Sequence, residues 1–490
     1  MMKYLSTTLL FLIVNCAVFA QNFQVGNHLY SIISKEDKTV SIEKFTSEEQ
    51  DVNDMIPATV TNDGITFTVT SIGGKAYSYS RIKEITIPHT IKSIKDDAFN
   101  NCFYLKKVNI TDLAAWLEID FESPSANPIA SSHNLYLNGK ELKELIVPEG
   151  VKKINNGTFL LCQSLRSVKL SQTVEYIGVQ AFKGCFYINK IDLGAVQYID
   201  EAAFEGCNGI KSINIPKTVN YLGLDTFAWT DFSTITVDNE NPYFDSRDNC
   251  NGIIRTSDNT LYLGCRNTEI PNSVDSIGNH AFKGNESIEH LVIPNNVKFI
   301  GINAIDYCIN LRTLTMPPLK AFRYLGCIGI EDLNITCNNY EEFIDFISTY
   351  IPYYGVGPTS ISTWHFYIDG EILTHVVLPD SITEIYQLDF YNCPEIRKVT
   401  CYAVHPPKML FTSYGDINIK LYVPAEAIDD YKHAEPWSEF NNILPITTSG
   451  INNAMREPAT SESTYYDLSG RKSNGSANGI FIKNRKKYIK

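Results

Sequence analysis

The chain has 490 residues, of which 44% are hydrophobic and 20% are charged, a globular composition that excludes an intrinsically disordered protein. It carries 42 Lys and Arg against 55 Asp and Glu, so it lacks the basic footprint of a nucleic-acid-binding protein. The length excludes one ordinary hydrophobic core, whereas a stack of repeats can reach any length because each unit contacts only its neighbours.

Residues 1–20 are predicted to be a cleaved secretory signal peptide. One lysine precedes an apolar run from Leu9 to Phe19, and Val18 and Ala20 stand at the two positions that a signal peptidase reads. The alternative is an uncleaved anchor helix, for which the run is short. No later segment has the roughly 18 apolar residues that a membrane-spanning helix needs. We therefore expect an exported protein without an integral membrane span.

Residues 21–55 precede the repeats and are predicted to form an N-terminal β cap. Two runs of β-forming residues flank a polar segment from Lys35 to Lys38, a pattern typical of a hairpin. The end coil of a repeat stack exposes an apolar face and an unpaired strand edge. An atypical covering unit is therefore expected at this end.

From residue 56 the sequence repeats every 22 or 23 residues, as in the steps from Phe182 to Phe204 and from Phe204 to Phe227. The unit reads I-P-x-x-V-x-x-I-G-x-x-A-F-x-G-C-x-x-L-x-x-I-x-I, in which the proline ends one β run and the glycine occupies a tight turn. Each unit is too small to bury its own apolar face, so the sequence predicts a repeat solenoid. The aromatic position of the repeat, called in phase below, is held by Tyr77, Phe99, Phe159, Phe182, Phe204, Phe227, Phe282 and Phe390. Ile305 takes the place of the aromatic residue in one repeat.

The repeated AFxGC segment, with IG before it and L-x-x-I-x-I after it, resembles the leucine-rich repeats of the BspA-like family. That family occurs in secreted and surface proteins of host-associated bacteria. The resemblance covers residues 56–445 and implies a right-handed stack of short parallel β-strands with short helical turns. A shortened coil near Cys327 is expected to bend or break the stack. Residues 425–440 resemble the terminal cap of the family, with Trp437 and Phe440 covering the end.

Three long intervals between repeats are interpreted as insertions near residues 111–144, 238–269 and 336–373. Asn-Pro and Asn-Gly dipeptides predict turns in the first two insertions, and the alternating runs beside them predict hairpins. The third insertion contains a predicted helix over residues 340–347, with Phe343, Ile344 and Ile347 on one face. A hairpin is expected from Trp364 to Ile372.

After the repeats come a polar linker, residues 446–464, and a basic tail, residues 465–490. The tail has seven Lys or Arg against one Asp, opposite in sign to the rest of the chain. It resembles the short C-terminal sorting tails of proteins exported across the outer membrane of Gram-negative bacteria. The alternative is a small β-hairpin appendage without a sorting role.

Nine of the twelve cysteines fall into two groups. Seven of the twelve occupy one slot of the repeat and are predicted to line the inside of the stack as small hydrophobic residues, because none has a metal-binding spacing. They are Cys102, Cys162, Cys185, Cys207, Cys308, Cys327 and Cys393. Cys250 and Cys265 lie off phase in the second insertion, and export makes a disulfide between them chemically allowed.

No motif of a serine hydrolase, a zinc protease or a nucleotide-binding enzyme occurs in the sequence. Asp245, Asp248 and Asn249 are close enough in sequence to suggest a calcium loop. The glycine and the distal glutamate of an EF-hand are missing, so a turn is the preferred interpretation. The sequence therefore predicts no catalytic residue, no metal and no cofactor.

The preferred hypothesis is a non-enzymatic binding protein on the outer-membrane surface or outside the cell. Function tends to lie on loops held by a rigid scaffold, so the solenoid face and the insertions are expected to bind a host or bacterial surface protein. The family resemblance implies adhesion. The alternatives are a glycan-binding protein, with aromatic rings stacking on sugars, and a structural surface scaffold. The candidate binding residues are aromatic residues expected to be exposed in the insertions: Tyr136, Tyr243, Phe244, Tyr353, Tyr354, Trp364 and Tyr367.

Overall fold

The computed structural model describes residues 22–47, 49, 51–319, 330–349, 363–386, 388, 390–409 and 417–446, and strands at 465–466, 472–473, 480–483 and 486–489. The chain forms two compact units, Met1–Phe346 with Ile351–Glu371, and Ile347–Tyr350 with Ile372–Lys490. Several predicted features lie outside the described residues: the signal peptide, the shortened coil near Cys327, Tyr353, Tyr354 and the linker after residue 446.

The N-terminal part is built of hairpins that join the repeat stack. Its strands are β1 (Asn22–Val25), β2 (His28–Ser34), β3 (Thr39–Phe45), β4 (Asn53–Met55), β5 (Thr59–Asn62) and β6 (Ile65–Ile72). The strand β2 pairs antiparallel with β1 and with β3, which confirms the predicted hairpin around Lys35 to Lys38. Because β3 pairs in parallel with β6, the hairpins continue directly into the repeats. The cap boundary at residue 55 stays a prediction.

The repeats of the first unit form ladders of very short parallel strands. Up to residue 237 the strands are β7 (Glu84–Ile87), β8 (Ser93–Ile94), β9 (Lys107–Ile110), β10 (Asp120–Phe121), β11 (Leu135–Leu137), β12 (Lys140–Glu141), β13 (Glu144–Ile146), β14 (Lys153–Ile154), β15 (Ser167–Lys169), β16 (Tyr176–Ile177), β17 (Lys190–Asp192), β18 (Tyr198–Ile199), β19 (Ser212–Ile215), β20 (Tyr221–Leu222) and β21 (Thr234–Val237). One ladder runs β14, β16, β18, β20 and another runs β13, β15, β17, all in parallel register. Two strands per coil at this period confirm the repeat solenoid.

The in-phase aromatic rings stack inside the first unit, with neighbouring ring centroids 4.9 to 5.6 Å apart. The two runs are Phe45, Tyr77 and Phe99, and then Phe159, Phe182, Phe204 and Phe227. Phe45 extends the first run into the N-terminal hairpins, although its position lies outside the repeat register. Within each run, neighbouring coils are therefore joined by stacked buried rings as well as by strand pairing.

The first predicted insertion forms an extra coil of the stack. Its two short helices are α1 (Leu113–Leu117) and α2 (Ile129–Ser132). The strand β10 pairs in parallel with β8, and β11 pairs in parallel with β9, so both ladders gain a strand. The predicted hairpin is confirmed by the antiparallel pair β11 and β12, whose turn residues Asn138 and Gly139 both have positive φ.

The second predicted insertion also completes the stack. Its strands and those that follow are β22 (Phe244–Asp245), β23 (Ile253–Arg255), β24 (Thr260–Leu263), β25 (Ser276–Ile277), β26 (His290–Val292) and β27 (Phe299–Ile300). The antiparallel pairs β22 with β23 and β23 with β24 confirm the predicted hairpins. The strand β24 then pairs in parallel with β25, and therefore it takes the place of a repeat strand.

The third predicted insertion adds strands to a ladder in the first unit. The elements are β28 (Thr313–Met316), β29 (Asp332–Cys337), α3 (Tyr340–Ser348), β30 (Thr363–Ile368) and β31 (Glu371–Ile372). The strands β28, β29 and β30 pair in parallel. The helix is confirmed, but its fully buried residues are Phe343, Phe346 and Ile347, and the predicted Ile344 is only half-buried.

The second unit continues the same pattern and ends in a cap. Its elements are β32 (His375–Leu378), β33 (Glu384–Ile385), β34 (Lys398–Cys401), β35 (Lys408–Met409), β36 (Ile417–Val423), α4 (Ile428–His433), β37 (Phe440–Pro445), β38 (Tyr465–Tyr466), β39 (Lys472–Ser473), β40 (Ile480–Lys483) and β41 (Lys486–Ile489). The strands β32, β34, β36 and β37 pair in parallel. Trp437 and Phe440 are buried as predicted, and the indole of Trp437 donates to the carbonyl of Pro407 at 2.8 Å. The tail strands β38 to β41 form an antiparallel sheet, and a sorting role for the tail stays a prediction.

Neighbouring coils approach most closely at the repeated glycine. A Cβ atom added to Gly223 would lie 2.4 Å from the backbone nitrogen of Glu201, and one added to Gly301 would lie 2.4 Å from that of Asn279. Because the clashing atoms belong to the backbone, the two coils would have to move apart. We expect Gly223→Ala to lower the free energy of unfolding by about 1 to 3 kcal/mol, measured by urea denaturation.

The control for this prediction is Gly74→Ala, whose added Cβ would lie 3.3 Å from its nearest neighbour, the carbonyl oxygen of Asp96. This contact requires a shift of only a few tenths of an ångström, so the control should lose clearly less stability. Equal losses in the two variants would contradict the close approach of the coils at the repeated glycine.

Candidate functional site

The structure exposes only part of the predicted set of binding residues. Tyr243 is 51% exposed, as expected. Tyr136 on β11 and Tyr367 on β30 are half-buried. The expected exposure is wrong for Phe244 and Trp364, which are 4% and 7% exposed.

The burial of Phe244 and Trp364 follows from their local structure. Asn241 accepts hydrogen bonds from two successive backbone N–H groups after the Asn-Pro turn, which turns the Phe244 side chain inward, where it packs edge-on against Tyr262. Trp364 occupies an inward position of β30 and stacks on Phe366 with 6.2 Å between centroids. Among the five members of the set that the structure describes, no two rings are in contact. These five residues therefore do not form one site.

The possible disulfide between Cys250 and Cys265 stays a prediction, and the structure has both cysteines in the reduced form. Both residues are buried free thiols, and each has its own hydrogen-bond acceptor. The thiol of Cys250 donates to the carbonyl of Gly252 at 3.7 Å, and the thiol of Cys265 donates to the carbonyl of Asn251 at 3.4 Å. The two thiols thus act as weak local donors within the β23 and β24 hairpin.

The acidic segment at residues 245–249 is a turn, as preferred from the sequence. Asp248 and Asn249 have φ values of 57° and 54°, the left-handed region that aspartate and asparagine tolerate. The carboxylate of Asp245 binds the guanidinium of Arg247 at 2.6 Å. Within the described part of the chain, no group of three His, Cys, Asp or Glu residues is placed to hold a metal ion.

The in-phase cysteines that the structure describes are buried, and four of them connect neighbouring coils. These four thiols donate to the backbone carbonyl of the core aromatic residue of the coil before, at 3.0 to 3.2 Å. The pairs are Cys102 with Tyr77, Cys185 with Phe159, Cys207 with Phe182 and Cys308 with Phe282. Burial raises the pKa of Cys207 and of Cys308 to about 12, so these thiols stay protonated donors at neutral pH.

Five exposed aromatic side chains of the first unit, including the two most exposed ones described, lie in the turn that follows the core aromatic residue. We call Tyr79, Phe103, Tyr104, Phe186 and Tyr187 the aromatic edge. Their exposed fractions are 71%, 78%, 45%, 46% and 55%, respectively. Tyr79 follows the core ring Tyr77 by two positions, and the other four directly follow Cys102 and Cys185. Phe103 and Tyr104 hold the same repeat positions as Phe186 and Tyr187, and Tyr79 lies in the corresponding turn of another coil.

Two arginine side chains from preceding coils lie on rings of the aromatic edge. The guanidinium of Arg81 is 5.0 Å from the ring centroid of Tyr104, and that of Arg166 is 4.7 Å from that of Tyr187. The segment Cys-Phe-Tyr occurs in both places, at residues 102–104 and 185–187. The sequence analysis missed these residues because they fill unassigned positions of the repeat. The repeated Cys-Phe-Tyr was the signal that could have found them.

A second exposed surface lies on the ladder of β14, β16, β18 and β20. Tyr176, Tyr198 and Tyr221 are direct partners in the parallel register, and we call these three residues the tyrosine ladder. The rings of Tyr198 and Tyr221 are 6.2 Å apart, and the ammonium of Lys153 lies 4.8 Å from the ring of Tyr176. The phenol of Tyr176 donates to Asp200, and burial together with this bond raises its pKa to about 12.

The chain was compared with known protein families, curated proteins and solved structures. The model of the BspA type leucine rich repeat region matches in six copies, over residues 59–120, 131–251, 259–342 and 334–405, which is well over half of the chain. No curated protein matches the sequence. In the described part of the chain, every helix is too short or too polar to cross a bilayer.

Two of the solved structures that are similar to this chain are leucine-rich repeat proteins. A leucine rich cell surface protein from Faecalibacterium prausnitzii is 23% identical with a TM-score of 0.51, over 78% of this chain and 94% of that chain. A leucine-rich repeat protein from Bacteroides ovatus is 19% identical with a TM-score of 0.49, over 87% of this chain and all of that chain. The six matched copies, the repeat period and the parallel ladders agree, and the chain therefore belongs to the family of proteins with BspA type leucine-rich repeats.

Proposed function

We propose that this chain is exported and binds a protein partner, as an adhesin on the cell surface or outside the cell, and that it catalyses no reaction. The aromatic edge carries this proposal, because Tyr79 and Phe103 are 71% and 78% exposed. Large apolar side chains exposed together on a soluble surface mark interaction sites. The leader-like residues 1–20 support export, and the similar protein from Faecalibacterium prausnitzii is described as a cell surface protein.

The composition of the aromatic edge favours a protein as the partner. Tyrosine and arginine are the residues most enriched at binding hot spots, and both are present at Tyr104 with Arg81 and at Tyr187 with Arg166. The backbone of each pair belongs to the packed repeat stack, and each arginine already lies on its tyrosine ring. Binding therefore costs these side chains little further conformational entropy. Extended solenoid surfaces of this kind suit large macromolecular partners.

The predicted residues of the insertions remain secondary candidates. Tyr243 is exposed, and Tyr136 is half-exposed under the ammonium of Lys107 at 5.0 Å. Tyr367 is half-exposed on β30. No two of these rings are in contact, so we expect them to contribute at most to the rim of the binding surface.

The test is a binding array of host matrix proteins and bacterial surface proteins, probed with the full chain. We expect saturable binding to at least one protein. The double variant Phe103→Ser with Tyr104→Ser should bind that protein at least 30-fold more weakly, which is the effect of losing about 2 kcal/mol of hot-spot energy.

The matched control is Phe299→Ser, because Phe299 is 42% exposed on β27 and lies outside the aromatic edge. The control should bind like the unchanged chain. If no protein binds saturably, or if the double variant binds as tightly as the control, the proposed function is wrong.

A further inference from the structure

The tyrosine ladder offers hydrogen-bonding groups that no described residue uses. Tyr198 and Tyr221 are 44% and 47% exposed. Within the described part of the chain, their phenol groups have no hydrogen-bond partner, in contrast to the phenol of Tyr176. Gln197 and Asn220 directly precede these tyrosines and are half-buried, and their side-chain amides are also without a partner among the described residues. Two exposed rings and two half-buried amides thus occur at adjacent chain positions of neighbouring coils.

Four charged side chains next to the tyrosine ladder are paired within the surface. Lys152 and Glu175 form an ion pair at 2.8 Å. Lys153 lies on the ring of Tyr176, and Asp200 accepts the hydrogen bond of the same phenol. The phenols and amides named above, which remain for a ligand, are uncharged donors and acceptors next to ring faces. In charge, such a surface complements an uncharged polar ligand, although the whole chain has a net charge of -13.

The spacing of the ladder fits a ligand with its own short repeat. The three tyrosines stand on adjacent parallel strands, which are about 4.8 Å apart. An extended chain of linked pyranose rings advances by a similar distance per sugar. A pocket of about 250 Å³ adjoins the Tyr176 end of the ladder, and it is lined by Glu118, Gly150, Val151, Lys152, Lys153 and Asn155. Consecutive units of such a chain can therefore face consecutive rungs and end in the pocket.

We propose that the tyrosine ladder binds an uncharged linear oligosaccharide. The apolar face of a sugar ring packs against an aromatic ring, and its hydroxyl groups both donate and accept hydrogen bonds. The free amides of Gln197 and Asn220 supply two donors and an acceptor each, which matches vicinal hydroxyl groups. This site is separate from the aromatic edge, and it differs from the insertion residues that the sequence favoured for glycans.

The experiment is isothermal titration of the full chain with four hexasaccharides: cellohexaose, maltohexaose, laminarihexaose and the anionic hyaluronan hexasaccharide. We expect at least one of the three neutral sugars to bind with a Kd below 1 mM. Tyr198→Ala and Tyr221→Ala should each weaken that binding at least tenfold, and the double variant Gln197→Ala with Asn220→Ala should weaken it several-fold. Thermal unfolding of each variant checks that the coils remain folded.

Tyr307→Ala is the matched control, because Tyr307 is 49% exposed, lies outside both the tyrosine ladder and the aromatic edge, and its removal should leave sugar binding unchanged. The proposal is wrong if none of the neutral sugars binds, if only the hyaluronan hexasaccharide binds, or if the ladder variants bind the sugar like the control. If the ladder variants lose affinity for a protein on the array instead, the ladder is a protein contact and the proposal is also overturned. None of these results depends on the aromatic edge.

Discussion

Replacing Phe204 by alanine is expected to lower the free energy of unfolding by about 3 to 5 kcal/mol. The ring is fully buried and stacks between Phe182 and Phe227, with centroids 5.1 and 5.6 Å away. Removing the ring leaves a cavity next to Phe182 and Phe227. The parallel strand pairing holds the three coils at their spacing, so they cannot move together to fill the cavity. Urea denaturation followed by circular dichroism measures the loss.

The control for Phe204→Ala is Phe103→Ala, because Phe103 is 78% exposed and touches no comparable core. Its effect should stay within about 0.5 kcal/mol. Because each coil contacts only its neighbours, hydrogen exchange in Phe204→Ala should accelerate mainly in the coils around residues 182–227. A loss in Phe204→Ala as small as that of the control would show that the stacked rings do not hold the coils together.

A steep loss of stability above pH 9 is the second large expected effect. Burial raises the pKa of Cys207, Cys308 and Cys337 from 9.0 to about 12. The folded chain therefore keeps these protons between pH 9 and pH 12, whereas the unfolded chain releases them. Stability is complete below pH 9 and falls by about 1.4 kcal/mol per pH unit for each such thiol, or about 4 kcal/mol per unit for the three.

Urea midpoints at pH 8, 9, 10 and 11 test the alkaline transition. Cys207→Ala removes one of the three thiols, so the slope above pH 9 should become shallower by about 1.4 kcal/mol per pH unit. Below pH 9 the free energy of unfolding of Cys207→Ala should be lower than that of the unchanged chain by a constant amount. The reason is that the variant lacks the hydrogen bond to the carbonyl of Phe182 at every pH. An unchanged slope in Cys207→Ala would contradict the assignment of the transition to the buried cysteines.

Most of the fold could be predicted because its signals are local and periodic. The regular spacing of residues such as Phe182, Phe204 and Cys207 predicted the length of each coil. It also predicted which side chains, including the thiols, point into the stack. The structure of the insertions was harder to predict. Their coils make the same backbone hydrogen bonds as the repeats, but they lack the residues of the repeat motif. Phe99 donates to the carbonyl of Ser125, which occupies the place that Ala181 occupies for Phe159. No AFxGC segment marks Ser125, so the pattern had no means to find that coil.

The candidate sites were predicted less well because exposure depends on the orientation of single residues. Tyr243 and Phe244 are neighbours in sequence, yet one is exposed and the other buried, and the Asn241 turn decides which. Phe103 and Tyr104 were treated as variable positions between the inward Cys102 and Leu105. Exposed positions of the repeat show no periodic hydrophobic pattern. Only the aromatic residue types at Phe103 and Tyr104 could therefore have identified them as candidate binding residues.

The central claim is that protein binding takes place at the aromatic edge, with the insertions acting as coils of the scaffold. Deleting an insertion would remove in-register strands such as β11 or β30, so point variants are the sharper probe. The decisive measurement is surface plasmon resonance with the best partner from the array, comparing Phe103→Ser with Tyr104→Ser against Tyr136→Ala with Tyr243→Ala. The account predicts at least a 30-fold loss for the first pair and less than a threefold change for the second. The reverse order of losses would contradict it.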